Sequence, residues 1–378
     1  MRAASTSSDR ATGLRVLLVN FEMDDGSAVL AWQARVAREL AARCERVVVL
    51  TEKLGEHVGA PNLVVEQVAT RPMGVPWRVG GKWFANPRVW QLCREHRIDV
   101  CFVHMAHEWA YRLAPALRAA RVPVVLWYAH GTVSRRLRLA HRVAARVVTS
   151  SPEGFRIPSR KLSIIGQAID TRLFDVPAER ADPIDVLYVG RLSPRKRIER
   201  LLEALAAFRR REPAAAVRLR LVGPALGDDA SGYLARLREL AARLGVSNAV
   251  DFVGFVPQAE TPVLYRTAFA HVNVSHTGSM DKTVLEALAC GCPVVTSNVA
   301  FRELLAGQPG AFLERDEPDN VAASLQRLYA GRRHIDAAAW RSLVVGRHDI
   351  DGFMDALMRE LTAFGAPTTA PLLRGVPA

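Results

Sequence analysis

The sequence predicts an α/β protein with two doubly wound domains that face each other across a cleft. Three observations carry this prediction. Short apolar runs alternate with amphipathic stretches, this pattern stops near residue 170 and restarts near residue 185, and the 378-residue chain is long enough for two ordinary domains. Apolar strands between helices indicate parallel sheets covered on both faces, whose ligands bind at the carboxyl ends of the strands.

The first domain is expected over residues 14–168, after a loose tail at 1–13 that lacks the apolar region of a secretory signal. Its predicted strands are 15–20, 46–50, 100–103, 123–127 and 146–149. A helix is expected over 27–43, because apolar residues recur there near helical spacing while arginines fall on the other side.

The second domain is expected over residues 169–345. Its predicted strands are 185–189, 217–222, 250–253, 271–274 and 293–296, with helices near 197–211, 231–244 and 281–290. The helical stretch 346–364 has no strand after it, so we expect it to cross back to the first domain. Residues 365–378 contain three prolines and are expected to form a disordered tail.

Composition excludes several protein classes. Hydrophobic residues at 49%, charged residues at 24% and a mean hydropathy of +0.05 do not fit a wholly disordered, collagenous or polytopic membrane chain. The five cysteines form no C-x-x-C pair, so neither a disulfide framework nor a zinc ribbon is expected. We expect a cytoplasmic protein whose membrane contact, if any, is peripheral, at the inner face of the cell membrane.

The positive charge is concentrated in the first half. Residues 1–170 hold 25 basic and 14 acidic residues, a net charge of +11 out of +13 for the whole chain. This asymmetry indicates an anionic partner or an arginine-rich composition. Arg135, Arg138, Arg142 and Arg146 are spaced for one helical face, which fits a solvated surface or contact with anionic lipid headgroups or a phosphorylated acceptor. Nucleic acid is disfavoured because no aromatic residues are interleaved with the basic ones.

A basic turn follows the first strand of the second domain. Gly190 ends that strand, and Arg191 and Lys196 follow in the segment Gly-Arg-Leu-Ser-Pro-Arg-Lys-Arg. Gly190 allows close backbone approach, and the two cations can reach one anion such as a diphosphate. A solvated basic turn is the alternative.

A second segment predicts an anion site at a helix start. A strand ends near Ser275, a loop with Gly and Ser follows, and a helix begins near Asp281 or Lys282, with its free N–H groups aimed at the cleft. Glu286 lies one turn into this helix between apolar neighbours. The hydroxyl groups of a ribose would give its carboxylate a partner, and an ordinary salt-bridged glutamate is the alternative.

At these residues the chain resembles the GT-B glycosyltransferases, specifically glycosyltransferase family 4, over roughly residues 14–360. The family's G-R-L-x-x-x-K segment matches Gly190, Arg191, Leu192 and Lys196, and its L-E-A-x-A-x-G-x-P-V-V segment matches residues 285–295. Residues 166–174 are similar to the stretch that joins the family's two domains. Three motifs in the right order make the resemblance specific.

The resemblance implies a role for each matching residue. The implied catalytic residues are His130, Arg191 and Lys196. The implied donor-binding residues are Gly190, Arg191, Lys196, Lys282, Thr283 and Val284 for the diphosphate, Glu286 for the ribose, Gly254, Phe255 and Val256 for the base, and Gly278, Ser279, Met280 and Asp281 for the sugar. It also implies retaining transfer without an obligatory metal, so no cofactor is expected.

One residue departs from the family's pattern. The family often has a Glu eight positions before the ribose Glu, in contact with the donor sugar, but this chain has Gly278 there. We interpret this as altered sugar recognition.

The first-half loops are expected to contribute the acceptor side. Gly26 lies in the loop 22–27, which matches the family's Gly-containing loop, and His107 and Glu108 follow a strand end.

Cys101, His104, His107 and Glu108 suggest a metal cluster by composition. Cys101 and His104 are three apart on a strand, so their side chains point to opposite faces and a metal site is disfavoured.

The predicted function is sugar transfer from a nucleotide-diphosphate sugar to an acceptor that is a glycan, a glycolipid or a small molecule. The alternatives are a GT-B nucleotide-sugar epimerase or hydrolase, and a nucleotide-sugar-binding protein that has lost activity, which Gly278 would explain. A Rossmann oxidoreductase is disfavoured, because neither opening strand is followed by G-x-G-x-x-G.

Overall fold

The computed structural model describes residues 12–27, 30–68, 86–176, 184–225, 230–275 and 278–365. Residues 1–11 and 366–378, which make up most of the two predicted tails, lie outside this range.

A seven-stranded parallel sheet forms the first domain, with strand order β3-β2-β1-β4-β5-β6-β7. The strands are β1 (Thr12–Met23), β2 (Cys44–Leu54), β3 (Leu63–Gln67), β4 (Val100–His104), β5 (Val124–Trp127), β6 (Arg146–Thr149) and β7 (Leu162–Ile164). The helices are α1 (Ala31–Ala41), α2 (Asn86–Glu95), α3 (His107–Arg112), α4 (Ala114–Ala119) and α5 (Arg135–Val143). Both faces of the sheet are buried in apolar clusters, as the apolar strands predict.

The second domain is a five-stranded parallel sheet with strand order β10-β9-β8-β11-β12. The strands are β8 (Asp185–Val189), β9 (Arg218–Val222), β10 (Val250–Gly254), β11 (Ala268–Asn273) and β12 (Val294–Thr296). The helices that follow β8 along the chain are α6 (Ile198–Arg211), α7 (Ala230–Arg243), α8 (Thr261–Thr267), α9 (Lys282–Ala289), α10 (Pro318–Ala330), α11 (Ala337–Ser342) and α12 (Ile350–Gly365). The prediction of two doubly wound α/β domains is confirmed.

Several local predictions differ from the structure. Strands β3 and β7 were not predicted, because both lie at sheet edges and their residues are only half-buried or exposed, so they lack a continuous apolar run. Helix α1 is shorter than the predicted 27–43, and residues 28–29 lie outside the described range. Strand β11 begins three residues early because Ala268, Phe269 and Ala270 are also fully buried.

Helix α12 packs on the first sheet although it follows the second domain in sequence. Phe353, Leu357 and Leu361 are buried in the same cluster as β1, β2 and β4. The chain therefore crosses between the domains twice, and the two crossings pair side by side. The N–H of Ile169 donates to the His348 carbonyl oxygen at 2.8 Å, and the N–H of Ile350 donates to the Ile169 carbonyl oxygen at 2.9 Å.

Candidate active site

The basic turn lies at the carboxyl edge of the second sheet, directly after β8. Gly190 has φ +149°, and a Cβ there would lie 2.9 Å from the Tyr188 hydroxyl oxygen, so only glycine fits this strand end. Arg191 and Arg195 are exposed, and neither has an ion-pair partner among the described residues. The turn therefore presents two uncompensated guanidinium groups to the space beyond the sheet.

Lys196, the third cation of this turn, is held by a carboxylate. Its ammonium nitrogen lies 2.9 Å from Asp281 Oδ2, and this oxygen also accepts hydrogen bonds from Ser275 Oγ at 2.7 Å and Asn273 Nδ2 at 3.0 Å. Burial raises the pKa of Asp281, but Lys196 and the two hydrogen bonds outweigh burial and hold it below 3.8. In the structure the Asp281 carboxylate pairs with Lys196, and its contact with the donor sugar stays a prediction.

His130 follows β5 and faces this turn from the first domain. Its backbone N–H donates to the Gly154 carbonyl oxygen at 2.9 Å, and its Nδ1 lies 3.2 Å from the backbone N–H of Thr132. Nδ1 is therefore the acceptor, and in the neutral ring the proton is assigned to Nε2.

The charges around His130 come from both domains. Burial and then Arg195 lower its pKa below 6.5, with Lys196 and Arg156 acting in the same direction and Asp281 opposing them. These cations disfavour the protonated form of the His130 ring, and its Nε2 is left as a hydrogen-bond donor. The structure brings it together with the predicted Lys196.

The space next to Gly278 is occupied by an arginine of the first domain. Gly278 has φ +66°, and a Cβ built on it would lie 2.7 Å from Nη2 of Arg156. Arg156 lies just after β6 and is itself exposed. Arg156 was not predicted as a site residue, because nothing near position 156 in the sequence indicates that it reaches the second domain.

The two residues that follow Gly278 lie against the start of α9. The Ser279 carbonyl oxygen accepts a hydrogen bond from Asn298 Nδ2 at 2.7 Å, and the Met280 side chain is buried in the core of the second domain. Met280 therefore contributes packing at this point.

Glu286 is buried within α9 at the boundary between the domains, 4% exposed. Its carboxylate accepts hydrogen bonds from Gln258 Nε2 at 2.6 Å and the Tyr265 hydroxyl at 3.3 Å. Burial raises its pKa above 4.5 despite these bonds and the nearby Lys282. Glu286 also lines a small cavity together with Gln258 and with Trp32, Arg35 and Asp170.

Lys282 points to the first domain rather than to the basic turn. Its ammonium nitrogen lies 3.1 Å from the centre of the Trp32 ring on α1 and is buried without a hydrogen bond among the described residues. Burial lowers its pKa well below 10.5, and Arg35 adds to this while Glu286 opposes it. The structure therefore does not place the Lys282 side chain at the predicted diphosphate position.

Two further polar side chains are buried in neighbouring strands of the first sheet. His104 ends β4 and Asn20 lies in the neighbouring β1, and neither His104 Nδ1 nor the Asn20 amide has a hydrogen-bond partner among the described residues. Burial and then Lys282 lower the pKa of His104 to about 3, so its ring is neutral.

The remaining predicted donor residues surround the same edge. Phe255 is 50% exposed directly after β10, and the Gly254 carbonyl oxygen accepts the N–H of Gly223 at 2.7 Å. Val256 is half-buried beside the second core. Thr283 and Val284 lie in the first turn of α9, where Val284 is buried and its N–H donates to the Asp281 carbonyl oxygen at 3.2 Å.

The predicted acceptor residues lie in the loop after β1 and at the start of α3. Gly26 is exposed in the loop after β1, and His107 packs edge-on against Tyr128 with ring centres 5.3 Å apart. Glu108 is paired with Arg136 and, at 3.4 Å, with Arg112, so it joins α3 to α5. Within the described ranges no three His, Cys, Asp or Glu residues are grouped to hold a metal ion.

The predicted arginine face is smaller than expected. Arg135, Arg138 and Arg142 are exposed on α5, but Arg146 belongs to β6 and binds Glu360 of α12 at 2.6 and 3.2 Å. The helical spacing of Arg146 was misleading, because α5 ends before this residue.

Two family patterns match the chain, one on each domain. The family described as "Glycosyltransferase Family 4" matches residues 33–173, and the one described as "Glycosyl transferases group 1" matches residues 183–331.

Curated relatives are similar over part of the chain. A D-inositol 3-phosphate glycosyltransferase of Geodermatophilus obscurus is 33% identical over 52% of this chain and 44% of its own length. Its counterpart from Streptosporangium roseum is 29% identical over 64% of this chain and 55% of its own. The chain thus spans about half the length of these relatives.

Solved structures share the fold at low sequence identity. Anabaena Alr3699/HepE, in complex with UDP, has a TM-score of 0.75 at 21% identity and covers 93% of this chain and 100% of its own. WaaG, a glycosyltransferase involved in lipopolysaccharide biosynthesis, has a TM-score of 0.65 at 16% identity and covers 92% and 99%.

Proposed function

The chain belongs to glycosyltransferase family 4, and from this premise we propose that it is a retaining, metal-independent glycosyltransferase that uses a nucleotide-diphosphate sugar. The observation that carries the proposal is the approach of Arg195 and Lys196, from the turn after β8, to His130 of the first domain, with Arg191 exposed in the same turn. Preorganised cations of this kind stabilise the charge that develops on a leaving diphosphate.

The charges at the basic turn match those of a diphosphate. Arg191 and Arg195 add two positive charges, while Lys196 is offset by Asp281. Each of the two phosphates in a nucleotide sugar carries about one negative charge. We assign no step to a metal ion, because these side chains supply the compensating charge. His130 contributes a neutral N–H donor beside the reacting centre.

Glu286 is proposed to bind the ribose of the donor. Its carboxylate is held by Gln258 and Tyr265 and lines the cavity at the domain boundary, so a ribose hydroxyl that enters there would find an oriented acceptor. UDP is the first nucleotide to test, because the Anabaena structure contains it. The relatives are named for inositol 3-phosphate, so this phosphorylated polyol is the first acceptor to test.

The exposed arginines of α5 are proposed to make peripheral contact with anionic lipid headgroups. Arg135, Arg138 and Arg142 lie there beside Leu139, which is 43% exposed. No helix in the described ranges combines the length and the apolar character needed to span a bilayer.

The proposal is tested by nucleotide binding and by donor turnover. A thermal-shift panel of UDP, GDP, ADP and TDP identifies the base, since a ligand at a hundred times its dissociation constant adds about 2.7 kcal/mol of stability. Arg191→Ala is expected to lower donor turnover about tenfold or more, equivalent to about 1.4 kcal/mol. Arg210→Ala, at the far end of α6, is the matched control and should keep wild-type turnover. No shift with any of the four nucleotides would refute the proposal.

A further inference from the structure

The site contains a cation where the family's pattern has a carboxylate. The backbone of Gly278 adopts the left-handed region at φ +66°, and the space that a side chain would fill is closed by Nη2 of Arg156, 2.7 Å from the Cβ position. Any larger residue at 278 would be strained and would displace the arginine. Glycine and Arg156 therefore form one feature: the glycine leaves the room that the arginine uses.

Arg156 adds a positive charge to those that are needed to balance the two negative charges of a diphosphate. The turn after β8 supplies Arg191, Arg195 and a Lys196 that Asp281 offsets, which already balances two phosphates. Arg156 comes from the opposite domain and is exposed, without an ion-pair partner among the described residues. Its guanidinium group lies against Gly278, so it reaches from the first domain to the second. One positive charge thus remains unmatched at the position predicted for the donor sugar.

The chemistry of the two groups determines what each can hold. A carboxylate accepts hydrogen bonds and suits the hydroxyl groups of a neutral sugar. A guanidinium group only donates, and its planar fork fits a carboxylate in a bidentate arrangement. Replacement of one by the other changes the preferred ligand from a neutral hexose to an anionic one.

We propose that the donor sugar carries a carboxylate, as a uronic acid does, and that Arg156 binds it. This inference rests on the proposed function, because it concerns the sugar of the nucleotide donor. Arg156 is a specificity-determining residue in this scheme, and Gly278 is required to give it access.

The test compares matched donors on the nucleotide that binds in the panel above. For UDP these are UDP-glucose against UDP-glucuronate, and UDP-galactose against UDP-galacturonate, measured by calorimetry without acceptor. We expect the uronate to bind about tenfold or more tightly, the lower range for one charge-assisted hydrogen bond. Equal affinity within threefold, while UDP itself binds, would overturn this inference and leave the proposed function standing. Absence of binding by every nucleotide would overturn both.

Variants locate the preference on Arg156. Arg156→Gln is expected to reduce the uronate preference to threefold or less, and Arg156→Lys to keep part of it because the charge remains. Arg160→Gln removes an exposed arginine from the same segment and should keep the full preference. Unfolding midpoints without ligand check that each variant is folded. A preference for the uronate donor that survives Arg156→Gln would overturn the assignment. An Arg156→Gln variant in which only the KM for an anionic acceptor rises would overturn it as well.

Discussion

The ion pair between Lys196 and Asp281 allows a quantitative test of how the basic turn is built. The two atoms lie 2.9 Å apart, and the side chains are only 12% and 14% exposed. At an effective dielectric constant of about 20 their attraction is about 6 kcal/mol, much of it offset by the loss of hydration of both charges. Asp281→Asn keeps the shape but leaves the ammonium unpaired, so we expect unfolding to become easier by about 3 kcal/mol.

Calorimetry measures this change as a shift of the unfolding midpoint. For a domain of this size, about 3 kcal/mol corresponds to a midpoint about 6–12 °C lower. Asp319→Asn is the matched control: its pair with Arg211 has the same 2.9 Å separation, but the side chains are 73% and 33% exposed, so we expect a change of about 0.5 kcal/mol or less.

The same substitution should strengthen nucleotide binding while it weakens the fold. Asp281→Asn removes a negative charge next to the diphosphate position and releases Lys196, so we expect tighter UDP binding. The destabilisation should be full above pH 3.8 and decline as the pH falls through the lowered pKa of Asp281, where the wild type also loses its carboxylate. A midpoint within 1 °C of the wild type, or weaker UDP binding, would refute the reasoning.

Two further predictions concern Lys282, at the contact between the domains, and Glu360, which holds α12 on the first sheet. Lys282→Met should raise the unfolding midpoint at pH 6, because it removes a buried ammonium group whose pKa burial lowers. The free-energy cost of the buried charge declines as the pH rises toward 10.5, so the difference in midpoint between variant and wild type should narrow between pH 8 and pH 10. A wild type that melts at a higher temperature than the variant at pH 6 would contradict this prediction. Glu360→Gln should cost about 1–2 kcal/mol, because the neutral amide keeps only one of the two oxygens to which Arg146 donates and loses the charge. Chemical unfolding would measure this cost, and an unchanged midpoint would show that α12 is held by apolar packing alone.

The parts of the site that lie close together in sequence could be predicted. The basic turn from Gly190 to Lys196 directly follows a buried strand, so both its position and its charge are visible in the sequence. Glu286 stands out because an acidic residue between apolar neighbours needs a partner. These inferences need only local periodicity and the rule that ligands bind at carboxyl ends of parallel strands.

The parts that depend on contacts between domains could not be predicted. The approach of Arg156 to Gly278, and of Lys282 to Trp32, joins residues that are far apart in sequence and belong to different sheets. Asp281 could have been directed to a sugar, to its own helix or to Lys196, and only the fold selects Lys196. The edge strands β3 and β7 were missed for a different reason, since their partial exposure removes the apolar signal.

The pairing of Ile169 with the segment 348–350 restricts how the two halves can be recombined. Consider a hybrid enzyme in which a single junction joins the N-terminal half of one relative to the C-terminal half of another. It would combine the first sheet of one parent with the α12 of the other. The mismatch would fall on Phe353, Leu357 and Leu361, which are buried against that sheet. Successful chimaeras therefore need two junctions, one on each of the two adjacent connecting segments.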